Sequence, residues 1–165
     1  MLRLLDFLLE LNDYTILRID KKFPNFKIGE DDIDILCLNM KNTCNSIINV
    51  LKKKNPQFKY NMHSIDNKVH IDVYIGNKFI IKFDLCDNIK KLYPLFDIPN
   101  KLTEEVIKTS IINNYGCKIP TIENELMLRK LEYDTYIQSR PDKIKHLKFI
   151  EQHSNIKYRE FTKIM

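Results

Sequence analysis

The chain contains 165 residues, of which 44% are hydrophobic and 30% are charged, and its net charge is +5. This length suits one compact domain, and the composition provides both a core and a soluble surface. No apolar run approaches the roughly 20 residues that cross a bilayer, which excludes a membrane-spanning helix. The chain has no Gly-x-x-x-x-Gly-Lys pattern and only three scattered glycines, which excludes a Walker-type phosphate loop and a Rossmann dinucleotide site.

The N-terminal third predicts short strands connected by a loop and flanked by helices. Apolar spacing and turn residues predict, in chain order, a helix over 2–12, a strand over 14–19, a loop over 20–31, a strand over 32–38 and a helix that is capped by Asn42-Thr43 and ends at Lys54. Residues 1–10 could suggest a signal peptide, but Asp6 and Glu10 interrupt the apolar run and no small-residue cleavage site follows, so an amphipathic first helix is expected instead.

Three β-prone runs follow, at 58–65, 68–75 and 78–85. Asp66-Asn67 and Gly76-Asn77 separate them, and both pairs suit two-residue hairpin turns because Asp, Asn and Gly tolerate positive φ. The sequence therefore predicts an antiparallel meander in the middle of the chain.

From Thr103 onwards the spacing becomes helical, with further helices over 122–138 and from Pro141. Glu132 is interpreted as a solvent-exposed acid of the second of these helices. The predicted fold class is α+β, with a mixed, largely antiparallel sheet that is backed by helices. We expect an α/β core over 1–100 and a C-terminal helical segment over 101–165 that packs on it as one compact unit.

Asp32 and Asp34 are the first candidate functional residues. Because side chains alternate along a strand, both carboxylates project from one face, whereas Ile33 and Ile35 point into the core. Two adjacent carboxylates repel each other, and a divalent cation relieves that repulsion. The pattern therefore predicts a metal site that begins at these two acids.

A third carboxylate is expected on the meander, and the strand register decides between two candidates. If both turns contain two residues, Asp72 lies opposite Asn61 on a mixed polar face, together with Tyr74 and Phe83. In that register Asp84 falls on the apolar face, so it cannot share a site with Asp72. We therefore expect Asp72, rather than Asp84, to complete the site.

These residues resemble the DNA polymerase beta-type nucleotidyltransferase superfamily. The match consists of Gly29-x-x-Asp32-Ile33-Asp34-Ile35-Leu36, a following helix, and a strand with His70-Ile71-Asp72-Val73. The resemblance implies that Asp32, Asp34 and Asp72 are catalytic and bind Mg²⁺ or Mn²⁺. It also implies transfer of a nucleoside monophosphate from a nucleoside triphosphate to an acceptor, which could be a sugar phosphate, RNA, a protein or a small molecule.

The candidate substrate-binding residues are Arg18, Gly29, Lys59, Arg140 and Lys143. The segment 139–147, which contains Arg140-Pro141-Asp142-Lys143, is similar to the Arg-Pro-Lys-Asp helix of minimal nucleotidyltransferases, with the Lys and Asp exchanged. Leu17-Arg18 stands where the family has Gly-Ser or Gly-Gly, and Arg18 could hold phosphate there. The same departure leaves open a catalytically inactive binding or regulatory module, and a basic nucleic-acid-binding protein is a third hypothesis.

The cysteines give a prediction about the compartment. None of Cys37, Cys44, Cys86 and Cys117 forms a Cys-x-x-Cys pair or stands at zinc-finger spacing from a histidine. They are interpreted as reduced, buried thiols, and we expect a cytoplasmic protein.

Overall fold

The structure is a computed structural model that describes residues 7–18, 32–54 and 56–164. The predicted loop over 20–31, which includes Gly29, lies outside the described residues, as does the first half of the predicted helix over 2–12. Residues 7 and 8 are helical, and residues 9 and 10 form a turn.

A five-stranded sheet forms the centre of the molecule, in the order β1-β2-β5-β4-β3. Its strands are β1 Tyr14–Ile16, β2 Asp32–Cys37, β3 Phe58–Ile65, β4 Lys68–Ile75 and β5 Lys78–Cys86. Strands β2 and β5 run parallel, and the other neighbouring pairs run antiparallel. A small second sheet pairs β6 Ile111–Ile112 with β7 Lys118–Ile119. The predicted mixed, largely antiparallel sheet is confirmed.

The hairpin turns lie where the sequence predicts them. Asp66 and Asn67 adopt φ values of 49° and 64°, and Gly76 adopts a φ of 59°. These are conformations that Asp, Asn and Gly tolerate better than other residues. Strands β3 and β4 pair without interruption from the first turn, and Asn61 lies opposite Asp72 as expected.

A β-bulge in the second hairpin changes the predicted register. Tyr74 pairs with Phe79, but Val73 pairs with Ile81, so β5 contains one extra residue at this point. A one-residue insertion moves the rest of a strand to the opposite face. The prediction that Asp84 lies on the apolar face is therefore wrong. Phe83 is fully buried in the core, and it is not part of the polar face.

Helices cover both faces of the sheet. They are α1 Met40–Lys54, α2 Ile89–Leu92, α3 Leu102–Lys108, α4 Ile122–Tyr136 and α5 Ile144–Gln152, with a 3₁₀ turn over Pro141–Lys143 before the last. Helix α1 begins earlier than predicted because Asn39 accepts a hydrogen bond from the backbone N–H of Asn42. None of the described helices has the length and apolarity that a bilayer span requires.

Two hydrophobic clusters hold these layers together. The first contains Ile33, Ile35 and Phe83 from the sheet with Ile47 from α1. The second cluster lies on the opposite side of the sheet, and it contains Leu36 of β2 together with apolar residues of α2, α3 and α4. The four cysteines are free and buried, and Cys86 belongs to the second cluster whereas the other three belong to the first. The structure therefore confirms the prediction that the four cysteines are buried free thiols.

Candidate functional site

A cleft of about 1120 Å³ lies between the polar face of the sheet and the C-terminal helices. Among the described residues, eight lysines and arginines line this cleft against five aspartates and glutamates. Its volume lies slightly above the range of roughly 300–1,000 Å³ that is usual for small-molecule sites, so a small molecule can enter it. The balance of charge favours an anionic ligand.

Three aspartates lie on neighbouring strands at the sheet side of the cleft. Asp34 of β2 and Asp84 of β5 are direct partners in the parallel pair, and Asp32 lies two residues before Asp34 on the same face. The side chain of Asp84 is 7% exposed and that of Asp34 is 15% exposed, whereas that of Asp32 is 55% exposed. The bulge in β5 is what brings Asp84 to this face.

Both oxygens of Asp34 have cationic partners. Arg18 donates to Oδ2, and Nζ of Lys68 lies 3.0 Å from Oδ1. Burial alone would raise the pKa of Asp34, but the charges of Arg18 and Lys68 outweigh it and lower the pKa to about 2. Asp34 therefore remains ionised at neutral pH although it is largely buried.

Both oxygens of Asp84 are engaged as well. Oδ1 lies 2.6 Å from Nδ1 of His70, and Oδ2 lies 3.2 Å from Nζ of Lys82. The same ammonium lies 3.4 Å from Oδ2 of Asp32, so Lys82 bridges the two strands. The three aspartates are thus neutralised by side chains of the chain itself.

The predicted metal can be tested against this arrangement. Carboxylate oxygens are the ligands that Mg²⁺ and Mn²⁺ prefer, so the donor type is suitable. However, both oxygens of Asp34 and Asp84 already have partners, and no group of three or more His, Cys, Asp or Glu among the described residues could hold a metal ion. The aspartates in this arrangement do not fit a bound divalent cation.

The third predicted carboxylate, Asp72, lies beside this cluster and is not among the described residues that line the cleft. In the strand register Asp72 of β4 lies opposite Lys82 of β5. Its Oδ2 lies 3.7 Å from Nδ1 of His63. The assignment of Asp72 as a catalytic and metal-binding residue stays a prediction. Asp84, which the sequence analysis placed outside the site, is the register partner of Asp34.

Glu132 of α4 lines the cleft, although the sequence did not place it among the candidate functional residues. It is 5% exposed, and its carboxylate accepts hydrogen bonds from Arg18 and from Lys143. Burial would raise the pKa of Glu132, but Arg18 and Lys143 lower it below its ordinary value. The interpretation of Glu132 as a solvent-exposed acid is therefore wrong. Its spacing of four residues from the buried Leu128 was the available signal, because residues four apart share a helix face.

Arg18 connects the two sides of the cleft. It lies two residues after the end of β1 with a φ of 56°, and its guanidinium binds Asp34 on the sheet and Glu132 on α4 at the same time. A planar guanidinium suits this double contact. Arg18 therefore contributes to the attachment of α4 to the polar face of the sheet.

His146 of α5 is 1% exposed and lies against the same cluster. Its Nδ1 is 3.3 Å from Arg129, its Nε2 is 3.8 Å from Glu132, and Nε2 has no hydrogen-bond partner among the described residues. Burial lowers the pKa of His146 to about 4, although Glu132 acts in the opposite direction. The imidazole is therefore neutral at pH 7.

The predicted substrate-binding residues are distributed unevenly. Arg18, Arg140 and Lys143 line the cleft. Lys143 is buried, whereas Arg140 is exposed. The guanidinium of Arg140 lies 3.3 Å from the carboxylate of Asp142. Lys59 is exposed on the edge strand β3, opposite Tyr74, and is not among the described lining residues. Gly29 lies outside the described residues. Their roles in substrate binding stay predictions.

Comparison with known proteins gives structural neighbours. No protein-family model matches the sequence, and no curated protein matches it. A protein from H. pylori that is described provisionally as a nucleotidyltransferase superposes with a TM-score of 0.51 at 11% identity, over 90% of this chain and 64% of that one. JHP933 from Helicobacter pylori superposes with a TM-score of 0.50 at 11% identity, over 90% and 62%. A Megavirus polyadenylate synthase, at a TM-score of 0.44 and 14% identity, covers 96% of this chain and 34% of that one.

The chain therefore spans less than two thirds of the length of these neighbours. Because the sequence identity is low, the two H. pylori structures match this chain at the level of the fold alone. Together with the resemblance that the sequence carries, they identify the architecture described above as the nucleotidyltransferase fold.

Proposed function

We propose that the chain is a nucleotidyltransferase, which moves a nucleoside monophosphate from a nucleoside triphosphate to an acceptor in the cleft. The observation that carries this proposal is the position of Asp32, Asp34 and Asp84 at the sheet side of a cationic cleft. The nucleotidyltransferase fold of the chain supports it. The acceptor is a sugar phosphate, RNA, a protein or a small molecule.

The charge of the cleft supports a triphosphate as the substrate. Arg140, Lys145 and Lys148 are exposed side chains on the helical side, and Lys82 and Lys68 face them from the sheet. Guanidinium and ammonium groups form strong charge-assisted hydrogen bonds with phosphate oxygens. In this proposal the lysines and arginines hold the triphosphate and neutralise charge on the leaving pyrophosphate.

The exposed Asp32 is the carboxylate best placed to receive a proton. Its side chain is more accessible than those of Asp34 and Asp84, so an acceptor hydroxyl can approach it. Proton transfer from that hydroxyl raises its nucleophilicity towards the α-phosphate. The requirement for Mg²⁺ or Mn²⁺ and the role of Asp72 are separate predictions, and neither the binding of phosphate nor the transfer of this proton depends on them.

The test measures pyrophosphate release and transfer of label from α-³²P nucleoside triphosphates. The four common triphosphates are supplied with RNA, sugar phosphates or the protein itself as acceptor, in the presence of Mg²⁺ or Mn²⁺. We expect Asp34→Asn to lower transfer at least about 100-fold, because the substitution removes the ionised carboxylate that positions Arg18 and Lys68 at the sheet side of the cleft. Asp97→Asn, at an exposed aspartate outside the described cleft lining, is the matched control and should leave transfer unchanged.

If the protein binds nucleotide but releases no pyrophosphate in all of these conditions, the proposed transfer reaction is wrong. That result would support the alternative binding or regulatory module. A fluorescent nucleotide analogue, titrated against the same variants, separates the loss of binding from the loss of chemistry.

A further inference from the structure

The aspartate cluster is already balanced by charge. Asp32, Asp34 and Asp84 face Arg18, Lys68 and Lys82, and His70 completes the contacts of Asp84. Three carboxylates on adjacent strands would otherwise repel each other strongly. The same repulsion is the reason why the sequence predicts a divalent cation at this place.

Lys82 stands between two of the carboxylates. Its Nζ lies 3.4 Å from Asp32 and 3.2 Å from Asp84, so its positive charge lies between the carboxylates of the two strands. Burial would lower the pKa of Lys82, but Asp84 and Asp32 outweigh it and raise the pKa, so the ammonium is charged. Lys68 neutralises Asp34 in the same way, with its Nζ 3.0 Å from Oδ1.

We propose that Lys68 and Lys82 act as internal cations that take the place of a divalent metal ion at Asp32, Asp34 and Asp84, so that these carboxylates bind a metal only when the ammonium groups are displaced. The two bridging distances and the full pairing of the oxygens of Asp34 and Asp84 support this assignment. Removal of one cation from a partly buried ion-pair cluster leaves the buried Asp84 without its cationic partner, and an uncompensated buried carboxylate has a strong preference for another cation.

The experiment titrates Mn²⁺ alone, without nucleotide, against the full chain and follows free Mn²⁺ by electron paramagnetic resonance. We expect Lys82→Met to bind Mn²⁺ at least tenfold more tightly than the unmodified protein, and the Lys68→Met, Lys82→Met double variant to bind more tightly still. Lys78→Met is the matched control, because Lys78 is an exposed lysine of the same strand outside the described cleft lining. It should bind Mn²⁺ as the unmodified protein does.

Two further variants make the result specific. Lys82→Gln removes the charge but keeps a polar end, and it is measured in parallel in case the methionine variant does not fold, which circular dichroism would reveal. Adding Asp84→Asn to the Lys82→Met variant should abolish the gain, because it removes one of the two carboxylates that Lys82 bridges.

Equal Mn²⁺ affinity in the unmodified protein and in folded Lys82 variants would overturn the proposal. So would a gain that survives Asp84→Asn, because the metal would then bind elsewhere. Since no nucleotide is present, these outcomes are independent of whether the protein transfers nucleotides, and failure of one proposal does not imply failure of the other.

Discussion

Two buried residues, Glu132 of α4 and His146 of α5, contribute to the packing of the helical side of the cleft. Glu132 accepts from Arg18 and Lys143, and His146 lies against it with one nitrogen that has no hydrogen-bond partner in the described part of the chain. The groups that face His146 are Glu132 and Arg129 from α4, Lys143 from the 3₁₀ turn and Arg18 from the sheet side. The neutral imidazole is favoured because burial, together with three cations, outweighs one carboxylate.

This balance predicts a pH dependence of stability. The pKa of His146 is lowered from 6.5 to about 4, so between these values the unfolded chain binds a proton that the folded protein does not bind. The stabilisation is fully present above pH 6.5, and it is lost as the pH falls to about 4. We expect the free energy of unfolding to decrease across this window by up to about 3 kcal/mol, as urea denaturation at several pH values would measure.

His146→Gln should flatten this dependence, whereas His153→Gln should keep it. His153 is a suitable control because it lies at the end of the same helix, where Nδ1 contacts the backbone oxygen of Phe149. An unchanged slope in the His146 variant would contradict the assignment of this dependence to that residue.

At the scale of strands, the turn of the second hairpin depends on the backbone conformation of a glycine. Gly76 has a φ of +59°, and a Cβ built there meets no atom within 4 Å, so the strain of a side chain would come from the backbone alone. We expect Gly76→Ala to lower the free energy of unfolding by about 1 kcal/mol, measured by chemical denaturation. Asn77→Ala, at the next residue of the turn, should change it by less than about 0.5 kcal/mol. Equal losses in both variants would show that backbone conformation at Gly76 is not the cause.

The same hairpin marks the limit of what the sequence predicts. Alternation and turn residues were sufficient to predict the strands, both turns and the antiparallel meander. They could not predict the bulge, because its extra residue, Ile80, lies in a run where Phe79, Ile80 and Ile81 are all apolar. A continuous apolar run has no alternation that would reveal a change of face, and the position of Asp84 was therefore predicted wrongly.

At the scale of the whole molecule, the cleft depends on contacts that are distant in sequence. Arg18 and Glu132 are 114 residues apart, yet they form one ion pair across the two sides of the cleft. The sequence identifies Asp32 and Asp34 because both lie on one strand, and it identifies the helices by their spacing. How the helices dock on the polar face depends on tertiary packing, so the partners of these acids could not be predicted from local patterns.

The burial of the four cysteines gives each hydrophobic cluster its own chemical reporter. Burial raises the pKa values of Cys37 and Cys86 to about 11 and those of Cys44 and Cys117 above their ordinary value, so the reactive thiolate is scarce as well as inaccessible. We expect a thiol reagent to label the native protein only at the rate at which a cluster opens, and to label all four thiols at once in denaturant. A thiol that reacts with the native protein as fast as free cysteine would contradict this. Because Cys86 lies in the second cluster and the others lie in the first, mass spectrometry of the labelled peptides would show which side of the sheet separates first.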